Sequence, residues 1–264
     1  MPFHFSIKPV TPKQAFALLS GNIRKLDWFM ANGRKNRMDF FEQLAKKNPL
    51  IQEMVKNRSL SESDFEKNYF TDFKLKLYQK SYYQPYLEKI QKTMPIINKC
   101  YDSFCALKQS WGFEVMARYD ILLDLFGIGG RYFRFNQKTG WVIIGAGHHD
   151  FLNLNDLTMA HTIVHEMVHL GIEDLFINPQ HLKQPPIYQE EKERIVDSLC
   201  AFVFQKAGDF SYQWKNGEKS VFQERTQKYA YMDQVVGKQP EENLPRRIQQ
   251  FLKEKEREQL FGLD

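Results

Sequence analysis

Seven histidines occur in the 264-residue chain, and six of them (His148, His149, His161, His165, His169 and His181) lie between positions 148 and 181. Inside that window His165-Glu166-Met167-Val168-His169 spells HExxH. On a helix, two imidazoles four residues apart stand one turn apart on one face, where both can bind a single Zn2+. Glu166 lies about 100° round the helix from His165. That puts it beside such an ion rather than on it, the place of a general base for an activated water.

The flanking sequence supports a buried setting. Leu157, Met159, Ala160, Ile163, Val164, Met167, Val168 and Leu170 make the predicted helix apolar all round, which is the pattern of a core helix. Imidazoles and a carboxylate are costly there unless they are paired or hold a metal. A catalytic zinc needs a third protein ligand and an open position. The extended motif HExxHxxGxxH is excluded, because Ile172 and Leu175 stand where Gly and His are required. In QEEKERIVDSLC, Glu193 and Asp197 are four apart and share a face. Glu193 is the expected third ligand, and Asp197 the carboxylate that accepts a hydrogen bond from the outer nitrogen of a ligating imidazole. Glu190 shares that face but pairs with Arg194 at i,i+4, and Glu191 points the other way. His161 extends the histidine row by one turn, and three rungs span about 12 Å, too far for one ion. His181 ranks below Glu193 as a ligand.

HEMVH and ERIVD, separated by 23 residues, resemble the HExxH…ExxxD pattern of gluzincin metallopeptidases, the thermolysin-like branch of the zincins. The resemblance covers roughly residues 113–206. It implies an α+β zincin-like domain that hydrolyses peptide bonds of a peptide or protein substrate. It also implies zinc on His165, His169 and Glu193, and an Asp197 that orients one of the histidines. Glu166 then takes a proton from water and passes it to the leaving amine. An antiparallel edge strand ahead of the active helix is expected, with WVIIGA as the match. A Tyr or His that stabilises the oxyanion or binds substrate is expected too. Tyr188, His149 and His181 are the foremost candidates, ahead of His148, Tyr229 and Tyr231. The chain departs from the family at Lys192, where an Asn often precedes the ligand glutamate. The alternative from another class is a zinc-binding regulatory protein on a retired peptidase fold, although Glu166 would then serve no structural need. A di-iron site would need a second ExxH, which is absent, and the cysteines upstream lack the setting of a deformylase.

The elements that must position these residues follow from periodicity. Residues 1–110 read as helical, with a capping signal at Ser61–Asp64 and with Pro85 and Pro95 expected to break or kink the third stretch. Phe113–Phe126 fits a strand or a helix. RYFRF and WVIIG around NQKTG read as a β-hairpin. Asn155 or Asp156 should cap the HExxH helix and Gly171 should end it; a second helix is expected over about 188–206, stopping near Gly208. The expected division is a helical region over 1–110, a catalytic core over 111–208 and a helical extension over 209–264.

Composition narrows the classes. Hydrophobic residues are 42% and charged residues 26%, so the chain is an ordinary globular one with 22 phenylalanines for its core. The net charge of +5 is spread along the length, and no nucleic-acid partner is expected. No apolar run reaches a membrane span and no apolar leader opens the sequence, so a cytoplasmic protein without a membrane role is expected. The three cysteines lack CxxC spacing and fit a reducing compartment. The Phe-rich helical region is expected to be core, with a groove for a partner protein as its other use.

Overall fold

The computed structural model describes residues 5–111, 115–147 and 150–176, together with 192, 193, 196, 197, 199, 200, 203, 204, 207 and 208. In order they form strand β1 (Phe5–Pro9) and helices α1 (Pro12–Arg24), α2 (Leu26–Ala31), α3 (Lys35–Lys47), α4 (Pro49–Lys56), α5 (Glu62–Asp72) and α6 (Gln84–Trp111). Strands β2 (Arg118–Asp124), β3 (Ile128–Arg134) and β4 (Thr139–Ala146) follow, and then helix α7 (Asp156–Phe176). Each described residue from 192 to 208 is helical. The class is α+β, with one mixed four-stranded sheet in the order β1-β2-β4-β3. Among the described residues no helix is long and apolar enough to cross a membrane.

Local signals account for most ends. Thr11 and Gln14 form a reciprocal capping box at α1. The Ser61 side chain caps α5 by accepting from the Asp64 N–H. Asn48 caps α4 through the N–H groups of Leu50 and Ile51. In the β3–β4 hairpin, Asn136 Oδ1 accepts from the N–H groups of Lys138 and Thr139, an Asx turn that fixes the register.

Four expectations need correction. The first 110 residues are not all helical, since Phe5–Pro9 is a strand at one edge of the sheet. Of the break or kink expected at Pro95, the break is absent, since the 28 residues of α6 run through it. Pro95 and Gln91, whose carbonyl loses its helical partner, are both exposed, so water can satisfy that carbonyl. Gly171 does not end α7, which continues to Phe176. Gly171 and Ile172 are buried, and packing outweighs the roughly 1 kcal/mol helical penalty of glycine. Finally, WVIIGA is not an edge strand: β4 lies inside the sheet, and the edges are β1 and β3.

The chain packs as two compact units, each assembled from separated stretches. One comprises Met1–Lys92, Asp120–Arg131 and Trp141–Met159. The other comprises Thr93–Tyr119, Tyr132–Gly140 and Ala160–Asp264. Residues 209–264, the expected helical extension, lie outside the described residues.

The core of the first unit is aromatic. Phe16 meets Phe65, Phe70 and Phe73 at centroid distances of 5.4–6.2 Å, and Phe73 meets Phe126 edge-on at 5.0 Å. The N-terminal phenylalanines thus serve mainly as core. Gly145 of β4 belongs here for a steric reason. A Cβ on it would lie 2.5 Å from the backbone of Gly127 and Ile128. In the second unit Tyr101 and Tyr119 close the space around Met116: the Tyr101 hydroxyl donates to the Met116 carbonyl and the Met116 N–H donates to the Tyr119 oxygen.

Candidate metal centre

The centre lies wholly within the second unit and is built on α7. The Thr158 N–H donates to Asn155 Oδ1, which makes Asn155 the N-cap. From there the helix is buried by Met159, Ala160, Ile163, Val164, Met167, Val168 and Leu170. Its 3.6-residue period leaves His165 and His169 on one face. Their rings lie 4.7 Å apart at 75°, and their Nε2 atoms are 3.1 Å apart.

Glu193 comes from the helical residues at 192–208 and closes a triangle. Its Oε2 is 3.2 Å from His165 Nε2 and 3.4 Å from His169 Nε2. Three donor atoms thus converge with edges of 3.1–3.4 Å. Tetrahedral zinc with bonds of about 2.0–2.1 Å has edges of about 3.3–3.4 Å. The donor set and its spacing therefore fit a divalent cation of the zinc type.

The electrostatics point the same way. Burial alone would push the His165 imidazole down, but hydrogen bonds to Asp197, Cys200 and Glu193 outweigh it and hold His165 well above its usual range. Burial pushes His169 down, and the charges of His165 and Lys192 add to that, against the bond to Glu193. Burial would raise Glu193, yet the two imidazoles overcome it and keep the carboxyl well below its usual range. The pocket favours one positive charge among these atoms, which a proton or a metal can supply.

Behind the triangle, Asp197 Oδ1 lies 3.2 Å from His165 Nδ1 and is buried. Glu166 is also buried, and burial raises its carboxyl to about 7. The negative Glu193 adds to that rise, while His165 and Lys192 oppose it. A carboxyl poised near neutrality suits a general base. Cys200 is buried beside His165, and burial pushes its thiol up to about 11. His161 groups with His165 and Cys200, not with His169 and Glu193.

Two residues escaped the sequence reading. Tyr132 of β3 stacks flat on His169, with centroids 4.6 Å apart and planes 8° apart. Lys192, noted only as a departure from a pattern, donates from Nζ to the Tyr132 oxygen. Tyr132 and Lys192 are 60 positions apart, and no periodicity links a strand residue to a distant helical one. Tyr188, His149 and His181, with His148, Tyr229 and Tyr231, lie outside the described residues.

No protein-family model matches the chain, and neither a curated protein nor a solved structure is significantly similar to it.

Proposed function

We propose that the protein is a zinc-dependent metallopeptidase of the gluzincin kind on a zincin-like fold. The observation that carries this is the convergence of His165 Nε2, His169 Nε2 and Glu193 Oε2 within 3.1–3.4 Å, with the buried Glu166 carboxyl next to it. His165, His169 and Glu193 would hold the ion. When bound, it supplies Lewis-acid polarisation of a substrate carbonyl and activation of a water.

The chain's own groups do the rest. Glu166 accepts a proton on its carboxylate and delivers it to the departing amide nitrogen. Its burial raises the carboxyl, which favours its holding a proton between the two transfers. Asp197 Oδ1, 3.2 Å from His165 Nδ1, places a carboxylate behind that ring, which favours the tautomer that turns Nε2 towards the ion. The mixed sheet, the HExxH helix and the glutamate on a following helical segment also support the reading. The family's substrate-binding edge then corresponds to β3.

The test is metal analysis of the purified chain combined with cleavage of an unbiased peptide library, wild type against Glu166→Gln. One zinc per chain and cleavage by the wild type alone are expected. A chain without stoichiometric metal, or a variant as active as the wild type, overturns the reading. Zinc without cleavage by either protein replaces it with a zinc-binding regulatory protein.

A further inference from the structure

The two histidines of the centre are supported in different ways. A metal-ligating imidazole usually donates its other N–H to a carboxylate, carbonyl or water, which fixes the ring. His165 has a buried carboxylate at that position, with Asp197 Oδ1 3.2 Å from its Nδ1. His169 does not: its Nδ1 is buried and has no hydrogen-bond partner among the described residues. Nothing hydrogen-bonded to that nitrogen there sets the angle at which Nε2 meets the other two donors.

A ring contact stands where the hydrogen bond is missing. Tyr132 lies parallel to His169 at 8° and 4.6 Å. Tyr132 is in turn fixed at both ends. Its backbone belongs to β3, and its oxygen accepts from Lys192 Nζ, which also sits 5.0 Å from the ring centroid. Lys192 is itself buried and directly precedes Glu193 in the chain. One clamp therefore links strand β3, the His169 ring and the segment that brings in Glu193.

We propose that Tyr132, locked by Lys192, is a positioning residue of the centre that holds the His169 imidazole in its ligating orientation. This rests on the reading that His165, His169 and Glu193 bind a divalent cation. An imidazole bound to a cation carries extra positive charge, and an electron-rich ring face attracts such a group. The stack is therefore stronger with metal bound, and it contributes to metal affinity as well as to folding. A purely structural contact would stabilise the chain equally with and without metal.

Zinc affinity by chelator competition and the d–d spectrum of the Co2+-substituted protein test this in wild type, Tyr132→Leu, Tyr132→Phe and Lys192→Met. Tyr132→Leu should weaken zinc about 10–100-fold, as loss of an orienting partner does, and should alter the cobalt bands. Tyr132→Phe keeps the stacked ring but loses the oxygen that Lys192 holds, so its affinity and cobalt bands should lie between those of wild type and Tyr132→Leu. Lys192→Met removes the same bond and should match Tyr132→Phe. Wild-type affinity and spectrum in Tyr132→Leu overturn the proposal, as does a loss in Tyr132→Phe equal to that in Tyr132→Leu. Should Tyr132→Leu not fold, NMR of the zinc-loaded, histidine-labelled wild type decides. The carbon-bound ring protons of His169 should be shifted upfield by the tyrosine ring current, and their absence from that range overturns the proposal. If the wild type binds no zinc, this proposal and the peptidase reading fall together. If it binds zinc and the variants behave alike, only this proposal falls.

Discussion

Asp197 and Glu193 bracket one imidazole. Asp197 Oδ1 faces Nδ1 of His165 at 3.2 Å, and Glu193 Oε2 faces Nε2 of the same ring at 3.2 Å. The two carboxylates lie four residues apart, so a single helical turn sets both distances. In the proposed centre the outer carboxylate would raise the basicity of the nitrogen that meets the metal, and the inner one would complete the donor set.

Replacing the outer carboxylate should therefore weaken the site without abolishing it. Asp197→Asn is expected to lower zinc affinity about 10–100-fold in a chelator competition. An unchanged affinity would show that the His165 ring is held by its other neighbours.

The inner carboxylate and the base should separate cleanly. Glu193→Ala removes a donor, and stoichiometric zinc should be lost on gel filtration. Glu166→Gln should keep one zinc per chain while kcat/KM falls by a factor of about 10²–10⁴, the usual worth of a general base. Loss of zinc from Glu166→Gln would instead make Glu166 a ligand.

Away from the centre, Asp124 gives a pH signature. It is buried at the end of β2, and burial raises its carboxyl to about 6 against the N–H of Phe126 and the charge of Arg131. The folded state thus holds the proton more tightly than the unfolded chain, whose Asp titrates near 3.8. The stability this confers is fully present below about pH 4 and is lost as pH rises through about 6. At roughly 1.4 kcal/mol per unit the change approaches 3 kcal/mol at most. Urea midpoints of wild type relative to Asp124→Asn should fall over that interval, and parallel profiles would contradict the assignment.

Gly145→Ala tests the close approach in β4. Its Cβ would meet the backbone of Gly127 and Ile128 at 2.5 Å, where no flexible side chain can yield. Overpacking of this kind costs about 1–3 kcal/mol, read as a lower denaturation midpoint.

The legible and illegible parts of the sequence divide by range. The i,i+4 pair on an apolar helix needs only the helical period, so His165 and His169 could be read on sight. Glu193 is 28 residues from His165, and its place followed from an i,i+4 partner, Asp197, within its own helical segment. The edge strand was misassigned, although composition held the clue. WVIIGA is almost wholly apolar, as an inner strand can be, whereas RYFRF carries two arginines, a charge content that suits a sheet edge. Tyr132 stayed hidden because an aromatic residue in a strand reads as core or surface until its partner across the fold is known. The extension of α7 past Gly171 was missed because burial overrode a local stop signal.

Two of the three proposed donors, His165 and His169, share the single helix α7. The third arrives with the segment that contains Glu193. On the proposed reading, metal uptake would act as a coincidence detector for folding: a helix alone would offer a weak two-point grip, and tight capture would need that segment docked. In a refolding experiment, the appearance of the cobalt spectrum would time the docking step itself, which turns the centre into a clock for the assembly of the unit that contains it.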